Sequence, residues 1–306
     1  MAPHQEPDMK ITVELVKELI THQFPQWAHM PIRPVECGGH DNRTFHLGEE
    51  MVIRLPSAEE YAGKVHIEQT WLPLLAPKLS LTIPHPLALG QSSTNYPWNW
   101  SIYQWIEGKS LNTVHLNDHH LQLLATDLAQ FLHELHAVDT HGAPTAGPHN
   151  FFRGAHPLVY DSQTRLALAQ LKDIIDVAEA TAVWEKALRS SWNKNPVWIH
   201  GDLAPGNILV KESTLTAVID FGGMGSGDPA CDLVIAWTLF NKESRKAFKV
   251  AVCLDDDTWA RARGWALWKA LITVAELQDT STPDALHQLH IIKEIILDSK
   301  LARSST

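Results

Sequence analysis

The sequence predicts an α+β fold in two parts: a sheet-bearing N-terminal part and a mostly helical remainder. Two observations carry this expectation. From Val35 to about Trp105, short strand-like runs are broken by Gly and Pro, whereas beyond Gly108 apolar residues recur in long stripes at helical spacing. A third refines it: two short strands, "ILV" and "TAVID", interrupt the helical part just after residue 207.

The elements follow in order. Ile11, Leu15, Val16, Leu19 and Ile20 repeat at helical spacing, so a helix opens the chain. "RTFHLG" and "MVIRLP" on either side of "GEE" read as a hairpin. "KVHIEQTWLPLLAPKL" reads as a helix with Ile67, Trp71, Leu74 and Leu75 on one face. Pro73 is expected to bend it or end it early, because proline lacks an amide and crowds the preceding turn. "WNWSIYQWIEG" places Trp98, Trp100 and Ile102 on one side and Tyr103 and Trp105 on the other, the pattern of a strand closed by Gly108. Leu121, Leu124, Leu128, Phe131, Leu132 and Leu135 then trace a long helical stripe. After the strand pair come helices around "CDLVIAWTLF", "WARARGWALWKALITVAEL" and "ALHQLHIIKEIILDSK".

Bulk composition narrows the function. At 306 residues with 44% hydrophobic content, the chain is long enough for one large domain or two moderate ones with ample core. A net charge of -10 argues against nucleic-acid binding, which rests on excess Lys and Arg. Cys37, Cys231 and Cys253 are too few and too scattered for a disulfide framework or a zinc knuckle, which fits reduced thiols in a cytoplasm. Residues 1–9 read as a frayed tail, and no run of about eighteen apolar residues is present to span a membrane.

The chemistry concentrates in "HGDLAPGNILV" and "IDFGGMGSGDPACDL". Pro205 and Gly206 bend the loop between Asp202 and Asn207, so both side chains are held on one tight turn. Asp220 ends the next strand, before Gly222 and Gly223. The oxygens of Asn207 and Asp220 suit a hard cation such as Mg2+, which takes one or two protein ligands and completes its shell with phosphate and water. Asp202 is left to orient, or accept a proton from, an attacking hydroxyl. Asp228 and Asp232 read as braces for this loop and caps for the following helix, and Asp255, Asp256 and Asp257 as a helix cap before Trp259, with a cradle for a polyamine sugar as the alternative.

"HGDLAPGN", "IDFGG" and "GDPACDL" in this order resemble the aminoglycoside phosphotransferase family, small-molecule kinases that include macrolide phosphotransferase-like members. "GGHDNRTFHLGEEMVIRLP", "YPWNWSIYQWIEG" and "FLHELHAVDT" extend the resemblance over about residues 30 to 300. It implies a bilobal protein-kinase-like fold, with an antiparallel N-lobe over residues 1–107 and a mostly helical C-lobe over 108–306. It further implies transfer of the terminal phosphoryl group of ATP or GTP, with Mg2+, to a hydroxyl of a small molecule. In that scheme Asp202 is the catalytic base, and Asn207 and Asp220 hold the metal. Glu68 pairs with a phosphate-binding cation at Arg54, where the wider kinase pattern has Lys. Gly38 and Gly39 form the loop over the phosphates. The backbone amides of Gln104, Trp105 and Ile106 meet the adenine. Acceptors on this fold include antibiotics, amino alcohols and sugars, and a non-catalytic nucleotide-binding pseudokinase is the rival from another class.

Three stretches imitate other sites. "GKS" at Gly108–Ser110 lacks the upstream glycine of a phosphate-binding Walker loop, which is Tyr103 here. "HELH" spaces His133 and His136 one residue too close for a metalloprotease helix. Trp265 and Trp268 read as core packing, with an aromatic substrate wall as the alternative.

Overall fold

A computed structural model describes residues 10–36, 41–277 and 279–304. The expected N-terminal tail and the two glycines Gly38 and Gly39 lie outside the described residues. The chain forms two compact units. One comprises Met1–Gly108 and Ala217–Gly222, the other Lys109–Thr216 and Gly223–Thr306.

The first unit begins with α1 (Val13–Gln23), whose N-cap Thr12 accepts a hydrogen bond from the Leu15 amide. Strands β1 (Ile32–Pro34), β2 (Asn42–Leu47) and β3 (Met51–Pro56), then α2 (Glu59–Leu75), β4 (Pro86–Gly90) and β5 (Trp100–Gln104), complete it. The five strands pair antiparallel in the order β1-β2-β3-β5-β4. The β2–β3 turn needs Gly48, whose φ of +64° is the left-handed region that side chains disfavour. Val16, Leu19 and Ile20 of α1 cluster with Phe45, Leu47, Ile53, Leu55, Trp100 and Ile102 of the sheet. Each such side chain buried whole contributes roughly 1.5–3 kcal/mol of hydrophobic stabilisation.

Two expectations need correction here. The buried face of α2 is Tyr61, Val65, Glu68, Leu72 and Leu75, while Leu74 is exposed. The inner stripe is rotated from the apolar reading because polar residues belong to it: Gln69 donates to the Ala88 carbonyl and to the Ser101 hydroxyl. The helix runs through Pro73 and ends two residues later at Leu75, before the end of the stretch read from sequence, as a proline that lacks an amide and crowds the preceding turn leads one to expect. Strand β5 starts at Trp100 and is buried on both faces, with Trp100, Ser101, Ile102 and Tyr103 all shielded from solvent.

The second unit holds β6 (Lys109–Ser110), α3 (Asp118–Ala137), α4 (Asp161–Gln170), α5 (Val177–Leu188), β7 (Val197–Ile199) and β8 (Ile208–Lys211). The first residues of β9 (Thr214–Val218) also belong to it. There follow β10 (Gly225–Gly227), α6 (Ile235–Thr238), α7 (Lys242–Val252), α8 (Asp256–Glu276) and α9 (Pro283–Ser304). Asn117 caps α3, which buries the predicted stripe from Leu124 to Leu135. The helix expected around "CDLVIAWTLF" is split into a 3-10 segment, Pro229–Val234, and the single turn α6. Helix α8 is buried on nearly every side and packs against α4, α5 and α9. Two of its interior residues are arginines, and each is neutralised: Arg261 by Asp228 at 2.5 Å and Arg263 by Asp298 at 2.7 Å. Among the described residues, no helix is long and apolar enough to cross a membrane.

Candidate functional site

In the first unit, β3 carries Arg54 and α2 carries Glu68. One terminal nitrogen of Arg54 donates to the Glu68 carboxylate at 3.2 and 3.4 Å. The other donates to Asp220 Oδ1 at 2.8 Å. Burial disfavours the Arg54 charge, but Glu68 and Asp220 outweigh it and raise the guanidinium above its ordinary value. Asp220 is a non-glycine residue at φ +64°, followed by the fully buried Phe221. The strained turn therefore sends the two neighbouring side chains to different fates, the phenyl ring into the core and a part-exposed carboxylate onto Arg54. Lys64, one helical turn before Glu68, pairs with Asp41 at 2.5 Å.

Tyr103, on β5, completes this group. Its hydroxyl donates to Glu68 Oε2 at 2.5 Å, and its ring lies 5.7 Å from the Arg54 guanidinium carbon. Burial and then the Glu68 charge push the phenol well above its ordinary value, which keeps it protonated and a donor. Beyond β5, the Gln104 amide donates to the His85 carbonyl and the Trp105 amide to the Glu50 carbonyl. These two amides are engaged within the unit and are not open to a base, contrary to the expectation from sequence. The Ile106 amide has no partner among the described residues.

In the second unit, the loop from His200 to Asn207 is fixed from three sides. The buried Asp232 carboxylate accepts from the His200 amide at 2.7 Å and from the Gly201 amide at 2.8 Å. Burial raises the Asp232 carboxyl, and the His200 charge and the two amides work against that rise. Gly201, at φ +82°, backs onto Gly223 so closely that an added Cβ would lie 2.1 Å from the Gly223 carbonyl oxygen. From the opposite end, the Ser110 hydroxyl donates to the Gly206 carbonyl at 3.1 Å. The "GKS" stretch is thus a strut, with Lys109 and Ser110 paired to β8.

On this fixed loop, Asp202 is exposed between the buried Gly201 and Leu203. The Asn207 side-chain nitrogen donates to the Asp202 carbonyl at 2.9 Å and to its Oδ2 at 3.3 Å. Using its nitrogen on Asp202 commits Asn207 to present its amide oxygen elsewhere, which is the donor a hard cation takes. Asp220 adds an oxygen of the same class in the first unit.

Asp228 caps the 3-10 segment through the Ala230 amide and holds Arg261, and Asp255 caps α8 through the Thr258 amide. Both are structural, as the sequence suggested. His133 is bonded to the Ala251 carbonyl, and no metal-binding cluster of three or more His, Cys, Asp or Glu is present among the described residues. Sequence reasoning passed over Tyr103. The signal for it was a tyrosine at a strand position buried on both faces, where a hydroxyl requires a partner.

The model of a phosphotransferase enzyme family, APH, matches residues 31–265. No curated protein matches the chain in sequence. Among solved structures, the GDP and kanamycin complex of APH(2")-IIia is similar with a TM-score of 0.70 and 20% identity, covering 92% of this chain and 98% of that one. The streptomycin–ATP ternary complex of APH(2")-IIa gives 0.59 and 17%, over 93% and 97% of the two chains. APH(4)-Ia with AMP-PNP and hygromycin B gives 0.62 and 18%, over 93% and 98%. At such identities the likeness establishes the fold: the α+β, protein-kinase-like architecture with an antiparallel N-terminal sheet and a helical C-terminal part.

Proposed function

Given that the chain belongs to the phosphotransferase enzyme family, we propose that it is a small-molecule kinase, moving the terminal phosphoryl group of a purine nucleoside triphosphate to an acceptor hydroxyl. The observation that carries this reading is Asp202, an exposed carboxylate on a loop locked by buried backbone bonds and steadied by Asn207. A carboxylate so placed orients an alcohol and takes its proton as the oxygen forms a bond to phosphorus. The phosphorus–oxygen bond to the leaving nucleoside diphosphate breaks in the same in-line displacement. Holding the reactants in register supplies most of the acceleration, since phosphoryl transfer asks little covalent chemistry of the protein.

Arg54, pinned by Glu68 and Tyr103, is the cation for the nucleotide phosphates. Arg suits that task because its planar fork donates in several directions: one terminal nitrogen stays on Glu68, and the other, which meets Asp220 in this structure, is the one available to exchange onto a phosphate oxygen. Asn207 and Asp220 offer the oxygens for Mg2+, which when bound to the triphosphate neutralises charge on its oxygens. The Ile106 amide is the donor left for the base. GDP, ATP and AMP-PNP in the related structures support a purine nucleotide, and kanamycin, streptomycin and hygromycin B there support a hydroxylated small molecule as acceptor.

The test is Asp202→Ala. Turnover is expected to fall about 10²- to 10⁴-fold, the contribution of a positioned acid–base group, with nucleotide affinity close to that of the parent. A variant with parental turnover would remove Asp202 from the mechanism.

A further inference from the structure

The second unit contains a cation that the phosphotransfer chemistry does not use. Gly147–Gly154 is an irregular segment in which Phe151 and Phe152 are both exposed and both at φ 53°. Left-handed backbone in two successive non-glycine residues is costly, and such strain gathers where a segment serves a ligand. The residue after them, Arg153, lies against the loop that carries Asp202. A Cβ added to Gly201, the neighbour of Asp202, would meet the Arg153 Cβ at 3.3 Å.

The Arg153 guanidinium rests on an aromatic platform. Its central carbon is 5.2 Å from the Trp265 ring centroid and 5.3 Å from that of Trp268. Trp268 is itself stacked on Tyr160 at 3.8 Å and anchored through its indole nitrogen to Gln163. Rings in this setting hold a guanidinium in place without neutralising it. The other arginines of this unit's helical core behave differently: Arg245, Arg261 and Arg263 each meet a carboxylate within hydrogen-bonding distance. Arg153 has no carboxylate partner of that kind among the described residues. Its charge reaches the buried Asp232 and Cys231 through space, and Asp232 already has two backbone amides as partners.

We propose that Arg153 anchors an oxyanion of the acceptor, so that the substrate class is a hydroxylated small molecule carrying a carboxylate or phosphate and not a polyamine sugar. Resting on the phosphotransfer reading above, this assigns the specificity of the same site. A guanidinium fixed on two indoles, with no carboxylate bonded to it among the described residues and carried by a residue whose Cβ lies against the Asp202 loop, attracts an anionic acceptor and repels a polycation. The exposed rings of Phe151 and Phe152 offer apolar contact for the remainder of the molecule.

The experiment measures ADP formation from ATP with glycerate, gluconate and homoserine as carboxylate-bearing alcohols, glucose 6-phosphate as a phosphorylated one, and glycerol, choline and kanamycin as neutral or cationic ones. At least one oxyanion-bearing alcohol is expected to exceed every neutral and cationic compound in kcat/KM. Arg153→Gln should raise KM for that alcohol roughly ten- to hundredfold, the loss of one or two charge-assisted bonds, with kcat within about threefold. Arg153→Lys should recover part of the loss, and KM for glycerol should not move. Kanamycin turned over better than all oxyanions, or Arg153→Gln weakening every acceptor alike together with a lowered melting temperature, would overturn the assignment while leaving phosphotransfer standing. No acceptor-dependent turnover at all, with Asp202→Ala indistinguishable from the parent, would bring down the phosphotransfer reading and this assignment with it.

Discussion

The hydroxyl of Tyr103 donates to the carboxylate of Glu68 at 2.5 Å, inside a sheet–helix layer where Glu68 is only 4% exposed. That bond links β5 to the charge pair made by β3 and α2. The Glu68 carboxylate is shared with Arg54, one of whose terminal nitrogens lies 3.2 Å from Oε1 and 3.4 Å from Oε2.

Tyr103→Phe keeps the ring and removes the bond. The buried Glu68 then loses one of its two partners, and leaving a buried charged acceptor short costs about 1–3 kcal/mol. Unfolding free energy in urea should fall by that amount. Nucleotide affinity, measured by calorimetry, should weaken in parallel because Arg54 is no longer held in one place. A variant as stable and as tight as the parent would show that Arg54 needs no such support.

Asp232 holds the backbone of the loop that carries Asp202 through the His200 and Gly201 amides, and in the proposed mechanism that bonding positions the Asp202 carboxylate. Asp232→Asn keeps the shape, yet it turns an amide NH2 group toward backbone N–H groups that need an acceptor. The loop should shift, and a displacement of about 1 Å at a reacting group costs on the order of 10²-fold in rate. The expected signature is a lowered kcat with an unchanged dissociation constant for the nucleotide. A loss of nucleotide affinity with kcat preserved would contradict that role.

His136 makes stability depend on acidity. Burial, with a further contribution from the charge of His133, pushes its imidazole down to about 4, and its Nε2 has no hydrogen-bond partner among the described residues. In the unfolded chain the same group titrates near 6.5. Between these two values the unfolded state binds a proton that the folded state refuses, so stability falls as pH drops from 6.5 toward 4. The shift corresponds to roughly 3 kcal/mol over that window. Denaturation midpoints measured from pH 7 to pH 4 should show a shallower decline in His136→Gln than in the parent. Equal slopes would rule out His136 as the group responsible.

The sequence made the polar constellation legible because its members sit at short, chain-fixed spacings. Asp202 and Asn207 share one loop, and Asp220 ends the strand pair that follows. The hairpin could be read from its turn, and the α3 stripe from its period. Long-range partnerships were out of reach. Arg54 and Asp220 are 166 residues apart, and Asp232 reaches His200 across 32. The inner face of α2 was misjudged because counting apolar residues cannot reveal that Glu68 and Gln69 face the sheet. Pairing of the α8 arginines was equally hidden, since a buried Arg and an exposed one are written with the same letter. The Gln104 and Trp105 amides went astray because strand pairing engages them, and pairing depends on register.

One further consequence lies in how the chain is partitioned. Ala217–Gly222 belongs to the first unit although the residues on both sides belong to the second. No single cut of the gene therefore releases the first unit whole. A fragment truncated after Gly108 would lack the hexapeptide whose Val218 amide bonds to the Thr82 carbonyl and whose Asp220 neutralises Arg54. Split-protein reporters or chimaeras built on this scaffold must graft that short insert along with the sheet.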